Sequence, residues 1–189
     1  MDASPATLEF FLLSQLQEKP QSGYELRKNL LRIPTAHFSD SPGSIYPALR
    51  RLDRRAWIHP CAAGSQTGRK KTVFELTELG AEEHKKWLQS RIVWDDVVWN
   101  RDELMLRFAV IDRVLGKDAS LRFLNSLQAN IEVYIEELRE HLESSSRALT
   151  DNARLAFEHG LMQYEATRLW TNKALRRLRD TGENAAGVA

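Results

Sequence analysis

Cys61 is the only cysteine in the chain, so no intramolecular disulfide can form and a reducing compartment fits. No apolar run approaches the ~20 residues a membrane helix needs. The N-terminus lacks the basic start and apolar stretch of a signal peptide, so a cytoplasmic location is expected. There is no glycine-rich phosphate loop and no Ser/His/Asp or Cys/His grouping, which argues against an enzyme. The histidines are scattered. His59 and Cys61, two apart, are the nearest thing to a ligand pair, and neither a metal nor a cofactor is expected.

Net charge is nearly absent too, at +1 for 189 residues, but the near-neutral total hides an asymmetry. Between Pro20 and Glu75 ten basic residues face four acidic ones, so this segment is positive and the remainder negative. A localised basic region on a near-neutral protein points to a polyanion site rather than to general adhesion.

Apolar spacing predicts a first helix over 7–17, built on Leu8, Phe11, Leu12 and Leu16. A second follows, with Ser22 as N-cap and Glu25 three residues on completing a capping box. Ile33-Pro34 ends it. A turn at 39–43 leads to a third helix over about 42–56, in which Ile45, Leu49 and Leu52 face inward and Arg50, Arg51, Arg54 and Arg55 crowd the outer face. Pro47 is tolerable only near a first turn, which allows a start anywhere from Pro42 to as late as Ser44. Strands near 57–61 and 72–76 flank a loop with two glycines and a basic end, Arg69-Lys70-Lys71, as suits an exposed hairpin tip. Thr77 caps a fourth helix over 78–91.

Three helices, a hairpin and a fourth helix in that order match a winged helix-turn-helix, whose third helix presents side chains to the major groove of duplex DNA. Residues 1–92 are assigned to this domain. An arginine-rich helix face is by itself usually only solvated. The basic hairpin at the expected distance favours a phosphate-binding surface, with Arg50, Arg51 and Arg54 on the helix and Arg69, Lys70 and Lys71 on the wing. A winged helix used only as a protein-binding adaptor would usually lose such a face.

Residues 93–182 read as a helical domain, and 183–189 as a disordered tail. Residues 93–100 look like a hinge. Helices follow over 101–114, from Asp118 to near 146 after a break at Gly116, and from about 151 to 179. Leu124, Leu127, Ile131, Tyr134, Leu138 and Leu142 form a near-heptad seam, and Phe157, Leu161, Tyr164, Leu175 and Leu178 repeat the signal. Leu155, Met162, Leu169 and Trp170 make another stripe, more than a two-helix hairpin can bury alone. The expected partner is a second copy, with Leu124, Leu127, Ile131, Leu138, Leu161, Trp170 and Leu175 as candidate dimer contacts. The fold class is therefore mainly α with a small β-hairpin, the winged domain being followed by an antiparallel, coiled-coil-like dimerisation domain.

The run Ser22-Gly23-Tyr24-Glu25-Leu26, the helix Gly43-Ser44-Ile45-Tyr46-Pro47-Ala48-Leu49-Arg50-Arg51-Leu52 and the wing exit Arg69-Lys70-Lys71-Thr72-Val73-Phe74-Glu75-Leu76-Thr77-Glu78-Leu79-Gly80 resemble the PadR family of transcriptional regulators. The match covers most of residues 7–90, and the length resembles that of the subfamily with a long C-terminal helical dimerisation domain. The resemblance implies a homodimer on a palindromic operator, repression as the commoner mode, a phosphate contact from Tyr46, groove positions for Ser44, Pro47 and Arg50, and a bracing or backbone role for Tyr24. Some relatives leave DNA on binding a small aromatic ligand. The candidate residues for that here are Trp87, Arg91, Trp94, Trp99 and Phe108, against the simpler reading that the tryptophans join the domains. One departure stands out: where the family often has Gly-Leu before the first wing strand, this chain has Ala56-Trp57, a change expected to matter little.

Overall fold

A computed structural model of the chain describes residues 5–30, 42–63, 71–145 and 149–186. It is mostly helical with one small antiparallel sheet. Two compact units are present: Met1–Ser90 with Met105–Val110, and Arg91–Leu104 with Ile111–Ala189.

The first unit is built around α1 (Pro5–Leu16), which is buried almost all round rather than along one stripe. Phe11, Leu12 and Leu13 of α1 pack with Leu26, Ile45, Leu49, Leu52, Ile58 and Leu106. Burial on every side would strand the polar residues of α1 unless they found partners. Glu9 is met by Arg51 and Arg55. Ser14 Oγ donates to the Phe10 carbonyl at 2.9 Å and so must accept from His84 Nε2–H at 2.7 Å, which fixes the histidine tautomer.

After α1 comes β1 (Gln21–Ser22), then α2 (Gly23–Leu30). The capping box forms: the Ser22 backbone N–H donates to Glu25 Oε2 at 2.9 Å, and the Glu25 N–H to Ser22 Oγ at 3.3 Å. Then come α3 (Pro42–Arg54), β2 (Ile58–Ala63), β3 (Lys71–Leu76) and α4 (Glu78–Gln89). The sheet order is β1-β3-β2, with Cys61 opposite Val73 and Gln21 opposite Phe74. The hairpin is as expected; β1 is an addition, too short to show any period. The Ile33-Pro34 stop and most of the turn before α3 lie outside the described residues, as do Arg69 and Lys70 at the wing tip.

Helix α3 starts at Pro42, the earlier of the two starts the sequence allowed, and keeps Pro47 within it at the expense of the bond to the Gly43 carbonyl. It ends in a Schellman motif: Trp57 N–H donates to the Leu52 carbonyl at 3.0 Å and Ala56 N–H to that of Asp53 at 2.8 Å. Ala56 therefore has φ 56°, the left-handed region that favours glycine. The Ala-for-Gly departure is thus not neutral, because it places a Cβ where the backbone disfavours one. The wing root is tied beside it, with Thr77 donating from its N–H to the Trp57 carbonyl at 3.0 Å and from its hydroxyl to the Ala56 carbonyl at 2.7 Å. The Thr77 hydroxyl also accepts from Gly80 N–H, capping α4.

In the second unit the expected hinge holds a short helix, α5 (Trp94–Trp99), whose first turn is closed by Asp96 accepting from the Val93 N–H at 3.0 Å. The run Trp-Asp-Asp-Val-Val-Trp hid this helix because six residues carry less than two turns of period. Helix α6 (Arg101–Ser144) breaks at Gly116, with φ 76° and ψ 177°, where the sequence placed a break. Helix α7 (Asp151–Ala186) continues past the expected stop near 179 into the segment read as a disordered tail. The latter part of α6 and α7 run antiparallel. Gln128 donates to Asn172 at 2.9 Å, Tyr134 meets Tyr164 edge-on, and Arg139 donates to Glu165 at 2.6 Å. Ile131 and Ile135 lie between them.

Two outcomes are expected. Burial lowers the His84 pKa from 6.5 to about 4, so the folded state holds the ring neutral while the unfolded chain takes up a proton first. Stability should fall as pH drops from 6.5 toward 4, by on the order of 3 kcal/mol for this group. In urea titrations across that range, His84→Gln should lose its stability less steeply than the wild type; parallel pH profiles would contradict the assignment. Ala56→Gly should raise unfolding stability by roughly 0.5–1 kcal/mol by relieving the left-handed alanine, and an unchanged or lower denaturant midpoint would refute this.

Candidate nucleic-acid interface

The surface of α3 divides into stripes set by its period. Ile45, Ala48, Leu49 and Leu52 are buried in the core. Tyr46, Arg50 and Arg54, spaced four apart, form an exposed stripe. Arg50 and Arg54 make no ion pair with any described residue. Pro47, Arg51 and Arg55 form the next stripe, and it turns to α1: Arg51 Nε lies 2.5 Å from Glu9 Oε1 and Arg55 Nη1 2.5 Å from Glu9 Oε2.

This corrects the expectation for Arg51. The four arginines do not share one outer face, and Arg51 is ion-paired with a buried carboxylate. The signal that could have revealed it was Glu9 itself, an acid in the otherwise apolar run Leu8-Glu9-Phe10-Phe11-Leu12-Leu13. An isolated acid on a helix buried on all sides needs a cationic partner.

Tyr46 is 45% exposed and not sealed in the core. A Cβ on Gly23 would come within 2.8 Å of Tyr46 Cε1, so the bare glycine at the start of α2 is what lets the phenol ring lie across it. Tyr24 is more open still, at 66%. Ser44 and Pro47 are half-buried in the first half of α3, and Lys71 opens β3. On the wing strands, His59 Nε2 is 3.1 Å from Glu75 Oε2, and the Cys61 thiol faces the Val73 carbonyl at 3.6 Å.

The remaining candidates scatter. Trp87, expected among the effector candidates, is buried, stacked on Phe10 at 4.8 Å, with the Arg107 guanidinium 5.9 Å from its ring centroid. Arg107 also donates to the carbonyls of Leu88 and Ser90, closing the end of α4. Phe108 is half-buried in this first unit. In the second unit Arg91 is exposed, Trp99 is 65% exposed, and the Trp94 indole donates to Glu137 at 2.7 Å. Leu124, Leu127, Ile131 and Leu175 are sealed inside the second unit itself. These four expected dimer contacts are thus buried within the single chain. Leu138 and Leu161 are half-buried, while Trp170 lies with Leu155, Met162 and Leu169 among the exposed apolar residues of α7.

Residues 12–86, which span the end of α1, the helix pair, the hairpin and most of α4, match the model of the transcriptional regulator PadR-like family. Members of this family are transcription regulators rather than enzymes. No curated protein matches the chain. Among solved structures, Bacillus subtilis PadR in complex with operator DNA is similar, at 19% identity over 90% of this chain and 98% of that one, with a TM-score of 0.44. The PadR-like regulator BC1756 from Bacillus cereus is 22% identical over 92% and 99%, with a TM-score of 0.41. A second B. cereus regulator, BC4206, is 28% identical over 53% and 92%, also with a TM-score of 0.41. At such scores these superpositions carry no argument, and the PadR-like assignment rests on residues 12–86. Among the described residues no helix is long and apolar enough to cross a membrane.

Proposed function

We propose that this chain is a transcriptional repressor that binds a palindromic operator in double-stranded DNA as a homodimer. The observation that carries the reading is the exposed stripe of Tyr46, Arg50 and Arg54 on the third helix of a PadR-like domain. A tyrosine hydroxyl and two guanidinium forks suit phosphate oxygens, and the stripe places them one helical turn apart along one face. Ser44 and Pro47 occupy the half of α3 that would meet base edges, and Arg69, Lys70 and Lys71 supply the wing contacts. Tyr24, open on the neighbouring helix, reaches the same backbone.

Dimerisation falls to the second unit. Leu155, Met162 and Leu169 recur every seven residues on α7 and stay exposed with Trp170, an apolar seam that a second copy would cover. Two copies then address half-sites about 34–36 Å apart. A small aromatic ligand that releases the operator would act through α5, where Trp99 leaves its ring open.

Selection of bound duplexes from a random pool should enrich an inverted repeat, and Arg50→Ala should weaken binding to it roughly tenfold, the worth of one charge-assisted hydrogen bond of about 1.5 kcal/mol. Recovery of no enriched sequence would overturn the DNA reading. Met162→Lys combined with Leu169→Lys should yield a folded monomer in sedimentation equilibrium, and a persistent dimer would place the interface elsewhere.

A further inference from the structure

Glu9 lies on α1, with its side chain 4% exposed, and takes hold of Arg51 of α3 and of Arg55, the residue just past its end. Both carboxylate oxygens are engaged, one by Arg51 Nε and the other by Arg55 Nη1. The Arg55 guanidinium also sits 5.0 Å from the Trp57 ring centroid, at the root of the wing. A single buried carboxylate would be costly to desolvate, and two guanidiniums arriving from one helix compensate it. They also constrain that helix. Neighbouring stripes on α3 are about 100° apart around its axis. Drawing Arg51 and Arg55 toward α1 therefore dictates where Tyr46, Arg50 and Arg54 point.

We propose that Glu9 is a positioning residue for DNA binding: it withdraws Arg51 and Arg55 from the phosphate-facing surface and sets the rotation of α3, so that Arg50 and Arg54 are the arginines of this helix that neutralise the duplex. The proposal rests on the DNA-binding reading above. It sorts four chemically identical side chains into two that meet phosphate and two that meet protein. It also makes an acidic residue, remote from the duplex, a determinant of how many charges the helix brings to it.

The test is the salt dependence of binding to a mixed-sequence DNA duplex, measured by fluorescence anisotropy with the full-length chain. Each phosphate contact contributes about 0.9 to the slope of log K against log salt. Arg50→Ala and Arg54→Ala should each flatten the slope by about that amount per bound protomer. Arg51→Ala and Arg55→Ala, each of which leaves Glu9 one partner, should flatten it by less than half as much. Glu9→Gln keeps the shape but removes the charge, and should steepen the slope because it frees the held guanidiniums. A residue with only a structural role would lower affinity without moving the slope in this pattern. The proposal is overturned if Arg51→Ala or Arg55→Ala flattens the slope as much as Arg50→Ala, or if folded Glu9→Gln leaves it unchanged. Should Glu9→Gln fail to fold by circular dichroism, the four arginine variants decide the matter. A wild-type chain whose binding is indifferent to salt would overturn the DNA reading itself, whereas a steep wild-type slope shared equally by all four arginines overturns only the role of Glu9.

Discussion

A helix of thirteen residues has room for one buried face and two polar stripes, and the first unit is organised around keeping those stripes apart on α3. Ile45, Leu49 and Leu52 press into the core from one side. The contact between Arg51, Arg55 and Glu9 acts from another and opposes rolling of the helix about its axis. Apolar packing alone is poorly suited to that task, because it has no direction and a helix can turn some way before its contacts are lost. An ion pair with both carboxylate oxygens engaged has direction, and it sits where an unpaired charge would be severely penalised.

The first unit uses the same device elsewhere. Ser14 joins His84 across the α1–α4 contact, and Gln21 donates to the Gln15 carbonyl while its own oxygen accepts from Asn29. Each polar group sits where burial makes a missing partner expensive, so each selects one arrangement of the elements it joins. The short strand β1 belongs to this set, fastening the start of α2 to β3. The wing hairpin is thereby connected to the helices at both of its strands: β3 through β1, and β2 through the Schellman turn that leads into it.

Much of this could be read in advance. The capping box, the wing strands, the Thr77 cap and the break at Gly116 each follow from local chemistry that a few consecutive residues express. What escaped was decided by tertiary partners. Nothing local separates Arg50 from Arg51, since the difference lies in Glu9, more than forty positions away in the chain. The near-heptad seam of α6 was correctly seen as apolar, but whether Leu124 and Ile131 meet α7 or another chain is not a property of spacing. Ala56 looked harmless because its backbone angle is invisible in the sequence, and Trp87 looked like an effector residue because its stacking on Phe10 joins elements far apart in the chain.

The hairpin of α6 and α7 has a feature with an evolutionary consequence. Its seam is largely aliphatic and aromatic, and such seams can slide by a heptad at little cost. The amide pair of Gln128 and Asn172, with Thr171 fully buried next to it and donating to the Thr167 carbonyl, gives the seam a single admissible register. Insertions and deletions in this region are thereby restricted: a heptad gained in one helix on the loop side of that pair must be matched in the other. Lineages of this protein should vary hairpin length in balanced steps, while the tip beyond His141 and Phe157 remains the place where unbalanced changes are tolerated.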